Sequence, residues 1–195
     1  MSEILFIRHA ETDMAGTFCG HSNPPLNMRG RAQLSELLRT LNAEPIVEVY
    51  TSDLLRAQET ADVIAENRAI KCHLRPALRE INFGQWEGLT WREIEQGHSV
   101  YAQRWVAEYP ELSAPDGESV SEFERRILAE VNLLTMKAKK GCIAVVTHGG
   151  VLRTILCRLL GRSEENAWEL ASSYCSIIRY EIPVSPSAPP IEVTS

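Results

Sequence analysis

The sequence predicts an α/β protein: a three-layer sandwich whose central sheet is mostly parallel, with helices on both faces and a small helical cap insert. Three observations lead there. Apolar runs of strand length, Ile4-Leu5-Phe6-Ile7, Ile46-Val47-Glu48-Val49-Tyr50 and Cys142-Ile143-Ala144-Val145-Val146, alternate with longer stretches whose apolar residues recur at helical spacing. Alternating strands and helices with short connections imply parallel pairing. A chain of 195 residues, 44% hydrophobic and 24% charged, can bury one substantial core.

Taken in order, a strand is expected over 3–8, then a loop with Gly16, Gly20 and Pro24-Pro25, and a helix from about Met28 to Leu41. A strand over 46–51 leads into a helix from about Leu54 to Glu66, and a short strand follows near Lys71 to Arg75. From Pro76 to Glu118 the pattern turns irregular and aromatic, with Phe83, Trp86, Trp91, Tyr101, Trp105 and Tyr109 among short helices that begin near Thr90 and Ser99. This stretch, 76–118, reads as a cap inserted in a single domain over 1–182. A long amphipathic helix from about Ser119 to Lys140 carries Val120, Phe123, Ile127, Val131 and Leu134 on one face. The strand at Cys142 comes next, followed by a helix from Gly150 and a last strand from Tyr174 to Ile182. The prolines after residue 182 do not suit a sheet interior, so 183–195 is expected to be a loose Pro-rich tail.

Several function classes are excluded early. A net charge of −6 argues against nucleic acid or an anionic membrane as the main partner. No apolar stretch has the length of a membrane span, and Met1-Ser2-Glu3 running straight into a strand is unlike a signal peptide, so a cytoplasmic address is expected. Cys19, Cys72, Cys142, Cys157 and Cys175 are scattered, odd in number and never spaced C-x-x-C, which suggests neither disulfides nor zinc. The phosphate loops of ATP and NAD enzymes are missing, and neither cofactor nor metal is expected. The oligomeric state, monomer or homodimer, is left open.

What the strands deliver at their carboxyl ends points to chemistry. The first ends in Arg8-His9-Ala10-Glu11-Thr12, the second runs into a helix start at Thr51-Ser52-Asp53-Leu54-Leu55-Arg56, and the third ends in Thr147-His148-Gly149-Gly150 before another helix. Open α/β sheets bind ligands at that edge. Helix amino termini carry unpaired N–H groups and partial positive charge, so cations there are mildly unfavourable unless an anion shares the site. Taken alone, Arg8 and Arg56 would be ordinary cations paired with Glu59 or Asp53, and the two histidines ordinary strand-end residues. Their joint arrival at three strand ends favours a phosphate site.

Four segments in order, Arg8-His9-Ala10-Glu11-Thr12, Ser52 to Ala61, Leu78-Arg79-Glu80-Ile81-Asn82-Phe83-Gly84-Gln85-Trp86-Glu87-Gly88, and Thr147 to Val151, resemble the histidine phosphatase superfamily, which includes cofactor-dependent phosphoglycerate mutase. The likeness spans residues 3 to 180. Within it, the Gly20 to Leu26 loop, Pro115-Asp116-Gly117-Glu118-Ser119 and Ala167-Trp168 are similar to the α-ribazole phosphatase branch. Two departures stand out. Ala10 replaces the usual glycine after the nucleophile, which requires a backbone outside the positive-φ region. Met14-Ala15-Gly16 stands where many members carry a phosphate-binding Asn, leaving that contact to backbone or Thr12.

The resemblance implies a phosphomonoesterase that works through a phosphohistidine, acts on a small phosphorylated metabolite such as α-ribazole 5'-phosphate, and needs no metal. His9 is then the nucleophile, Glu80 the proton donor and His148 a further catalytic group; Arg8, Arg56, Thr12 and Gly149 would hold phosphate, and Gly20 and His21 would touch substrate. The residues themselves do not choose Glu80 over Glu11, Asp13 or Glu87. Adjacent arginines should keep His9 uncharged, while a dianionic ester would favour protonated His148. Mutase-type phosphoryl transfer and a non-catalytic phosphate binder are the alternatives.

Overall fold

The computed structural model describes residues 2–182, and the tail expected over 183–195 lies outside the described residues. Strands β1 (Glu3–Arg8), β2 (Ile46–Thr51), β3 (Cys72–Leu74), β4 (Cys142–Thr147) and β5 (Ile177–Glu181) form one sheet in the order β3-β2-β4-β1-β5. Every pairing is parallel except that of β1 with β5. The mostly parallel sheet is therefore as expected, but the last strand starts at Ile177 and not at Tyr174. Cys175 is the reason: its φ of 58° turns the chain before the ladder begins.

Pleating divides the core into two layers. From β1, Leu5 and Ile7 face one way and pack with Ala144 and Val146 of β4 against α1 (Met28–Leu41) and α2 (Leu55–Arg68). Ile4 and Phe6 face the other way and pack with Ile143 and Val145 against α5 (Val120–Ala138) and α6 (Gly149–Arg158). Helix starts follow local chemistry: Asn27 accepts from the Gly30 N–H at 2.7 Å, and Thr90 and Ser119 each close a capping box with a glutamate three residues on.

Helix α7 (Glu164–Ser172) was not anticipated, although Ser163 caps it and two glutamates open it. Its buried residues are the small Ala167 and Ala171, a faint stripe compared with that of α5.

Helices α3 (Trp91–Gly97) and α4 (Ser99–Glu108) make the expected cap, where Phe18 from the first loop joins Phe83, Trp86, Trp91 and Trp105. Leu78 and Ile81 pack instead in the α5 layer of the main core, so the cap cluster proper lies after them. Among the described residues no helix is long and apolar enough to cross a membrane.

Candidate active site

Strand register brings the two histidines together. Arg8 stands opposite Thr147, and the His9 N–H donates to the Thr147 carbonyl at 2.9 Å, so His9 and His148 leave adjacent strand ends side by side. Their ring centroids lie 5.1 Å apart, and both side chains are buried. Arg56 joins them from the first turn of α2, whose exposed N–H groups are capped by Ser52 Oγ on Leu54 and Asn23 Oδ1 on Leu55. It is buried as well. Glu59 and Asp53, the partners it could have had on the surface, pair with Arg31 and Arg79.

The hydrogen bonds of His9 select its tautomer. Its Nδ1 lies 2.7 Å from the Ala10 carbonyl, which can only accept, so Nδ1 carries the proton and the lone pair stays on Nε2. Arg56 Nε donates to that Nε2 at 3.2 Å. The rest of the guanidinium is held by carbonyls of the first loop, Ser22 at 2.7 Å, Gly20 at 2.8 Å and Cys19 at 3.2 Å. Burial first, and then the charge of Arg56, hold both His9 and His148 well below the ordinary imidazole range. In the free protein, therefore, both rings are neutral at pH 7; the adjacent arginines reinforce burial and do not lead it.

Neutral buried imidazoles make stability depend on pH. Below about pH 6.5 the unfolded chain protonates both histidines while the native state does not, so stability falls as pH drops through that value and is unaffected by them above it. Urea unfolding should show a loss of about 2 kcal/mol between pH 7 and pH 5.5. A flat profile over that window would mean that the rings charge freely in the fold.

Arg8 approaches from the other side. Its Nη1 donates to the Ala171 carbonyl at 3.1 Å and to that of Ser172, both at the carboxyl end of α7, and its guanidinium carbon sits 4.4 Å from the centre of the Tyr174 ring. Three buried polar atoms of this cluster have no partner: Arg8 Nε and both ring nitrogens of His148. Buried polar groups are seldom left so, and His148 lies within reach of both guanidinium charges, Arg56 and Arg8. A bound oxyanion would satisfy them.

Glu80 is the carboxylate at the cluster. Gly150 N–H donates to its Oε2 at 2.8 Å and Ile81 N–H to its Oε1 at 2.9 Å, which seats it on the amino end of α6 two residues beyond His148. Its segment is clamped from outside: Thr147 Oγ1 donates to the Leu78 carbonyl, and Arg126 of α5 donates to the carbonyls of Ala77, Arg79 and Glu80. Gly150 has to be glycine. A Cβ there would fall deep inside contact distance of Glu80 Oε1, and the flexible carboxylate would have to move. Gly150→Ala should thus fold with a near-native melting temperature yet cleave alkyl phosphates about 10²-fold more slowly. Undiminished turnover of such esters would remove Glu80 from the reaction.

The other carboxylates are engaged elsewhere. Glu87 accepts from the N–H groups of Gly20, His21, Ser22 and Phe83 and from the Ser22 hydroxyl. Burial would raise its pKa, but the bonds from Ser22, Phe83 and His21 outweigh it and hold the group below the usual range, fit for closing a loop and not for donating a proton. Glu11 accepts from Asn27, and Asp13 is exposed.

Among the substrate-binding candidates, Gly20 has its backbone engaged within the protein. It is buried, its N–H is spent on Glu87, its carbonyl holds Arg56, and a side chain would collide with the Ile81 carbonyl. His21 keeps a half-buried ring whose Nε2 has no partner. Thr12 is buried, and its Oγ1 accepts from the Met14 N–H. Gly149 opens α6, and a side chain there would come into ordinary contact with the Arg8 guanidinium. Ala10 is fully buried outside the positive-φ region, as its side chain demands.

Two residues escaped the sequence reading. Tyr174 lies with its ring 5.7 Å from that of His9 while also covering Arg8, and Arg126 anchors the Glu80 segment. The turn at Cys175 that carries Tyr174 inward leaves no periodic trace in the sequence.

Known proteins resemble this chain over most of its length. Adenosylcobalamin/alpha-ribazole phosphatase of Salmonella typhimurium is 30% identical over 167 residues, covering 85% of this chain and 83% of the relative. A metal-independent phosphoserine phosphatase of Arabidopsis thaliana is 33% identical over 164 residues, covering 82% of this chain and 69% of that one. The solved structure of a putative alpha-ribazole-5'-P phosphatase from Escherichia coli superposes with a TM-score of 0.85 at 28% identity, covering 93% of this chain and 91% of the other. A family model matches residues 4–185, and the chain belongs to the histidine phosphatase superfamily (branch 1).

Proposed function

We propose that this protein hydrolyses a small phosphomonoester in two in-line steps at His9. The unpartnered Arg8 Nε and His148 nitrogens, buried beside a nucleophile whose tautomer is already set, carry the reading. His9 Nε2 attacks phosphorus, the ester P–O bond breaks, and the leaving oxygen takes a proton from the Glu80 carboxyl. Water then gives a proton to the Glu80 carboxylate and attacks phosphorus; the N–P bond breaks and inorganic phosphate leaves. Arg8 and Arg56 neutralise the equatorial oxygens, and His148 adds a hydrogen bond as charge develops. In the free protein the Arg56 Nε–H donates to the Nε2 lone pair, so an equatorial oxygen has to take over that N–H before His9 can attack.

For the substrate, the reading is α-ribazole 5'-phosphate. It rests on the Salmonella typhimurium and Escherichia coli relatives, which align over most of both chains. A cytoplasmic, metal-free enzyme belongs to the same proposal. Phosphate release should be compared across α-ribazole 5'-phosphate, phosphoserine and 3-phosphoglycerate, the last with and without its bisphosphate primer. The highest kcat/KM is expected with the first; primer-dependent isomerisation of phosphoglycerate faster than phosphate release would establish a mutase instead.

A further inference from the structure

We propose that Tyr109, Arg153 and Trp168 form the subsite for the leaving group, and that it takes a planar, uncharged aromatic ring joined to the phosphate through a sugar-sized spacer. This deepens the phosphatase reading and rests on it.

The position comes from two helices. Arg153 stands four residues after Gly149 and three after Gly150 on α6, hence on the same face and one turn, about 5 Å, further along. Helical side chains lean toward the amino end, which here is the end that holds Glu80. On the neighbouring α7, Trp168 lies three residues before Ala171, whose carbonyl holds Arg8. Tyr109 arrives from the cap, directly after α4, with its ring stacked edge-on against Trp105 at 5.4 Å. Cap, α6 and α7 therefore meet at Arg153, one turn along α6 from the residues that touch Arg8 and Glu80.

The chemistry of the three residues selects the occupant. The Arg153 guanidinium carbon lies 5.9 Å from the Trp168 ring centre and 5.8 Å from that of Tyr109, within reach of cation–π attraction to both. Its edge is already engaged, by the Tyr109 hydroxyl and by Glu164 at 3.5 Å. A leaving group that bears a carboxylate would have to compete with Glu164 for that edge, whereas a neutral ring needs only the flat faces. Trp168 offers one: at 66% exposed it is an indole left largely in water on a helix that buries only alanines. A second aromatic plane laid on it gains stacking without displacing any existing bond.

The test compares esters that differ only in the ring. Phosphate release from α-ribazole 5'-phosphate and from ribose 5-phosphate is measured for the wild type, Trp168→Ala, Trp168→Phe and Arg153→Gln, with melting temperatures alongside. Wild type should prefer the ring-bearing ester in kcat/KM. Trp168→Ala should lower that preference about ten-fold, mainly through KM, and Trp168→Phe should restore much of it. Free α-ribazole should inhibit the wild type competitively and inhibit Trp168→Ala more weakly by a similar factor. If the preference and the inhibition are indifferent to Trp168 and Arg153 while both esters are cleaved, the subsite is overturned and the phosphatase reading stands. If neither ester releases phosphate, the phosphatase reading falls and the subsite falls with it.

Discussion

His9→Ala is expected to leave no measurable phosphatase activity, a loss of at least about 10³-fold, because the fold offers no second nucleophile in its place. His148 is the nearest imidazole, 5.1 Å away ring to ring, but neither of its nitrogens has a hydrogen bond to set its tautomer or aim its lone pair. His9 has both, from the Ala10 carbonyl and Arg56. The same asymmetry predicts which residue is phosphorylated. Rapid quenching of wild type during turnover should trap a phosphoenzyme that is acid-labile and base-stable, and peptide mapping should place the label on His9. Retained turnover in His9→Ala, or a label on His148, would end the assignment.

Glu80→Gln should separate substrates by the basicity of their leaving groups. Glutamine preserves the shape, and its one carbonyl oxygen can still accept from either Gly150 or Ile81, whose N–H groups meet separate oxygens of Glu80, so melting temperatures should be compared alongside. What it lacks is the transferable proton. An alkoxide leaves poorly without one, and cleavage of a sugar phosphate should slow by about 10² to 10⁴. A p-nitrophenolate leaves readily unprotonated, so its release in the first turnover should be almost unaffected. Equal slowing of both esters would point to a different acid, and the geometry leaves few: Glu87 is held as a carboxylate by five donors, and Glu11 is tied to Asn27.

The clustering of most candidate residues was legible because it is local. Arg8 and His9 follow the β1 run directly, Arg56 sits in a first turn, and His148 precedes a helix start, so strand period and cap chemistry were enough to place them at one sheet edge. The choice among carboxylates was not legible from the residues themselves. It depends on which backbone N–H groups each carboxylate meets, and those of Gly150 and of Gly20 to Ser22 lie about seventy residues from Glu80 and Glu87 along the chain. That the Gly20 carbonyl holds Arg56 was equally hidden, because the bond belongs to backbone and not to side-chain type. Helix α7 is hard to read because alanines make a weak amphipathic signal, and the place of Tyr174 is hidden because the turn at Cys175 that carries it inward has no periodicity.

The grip of Ala171 and Ser172 on Arg8 has a thermal consequence. Those carbonyls belong to the last turn of a nine-residue helix, and such ends open more readily than the sheet behind them. Each opening lets the guanidinium swing free while β1 and β4 stay paired. On warming, the enzyme should fall silent several degrees before it melts, with its working range set by the fraying of one short helix.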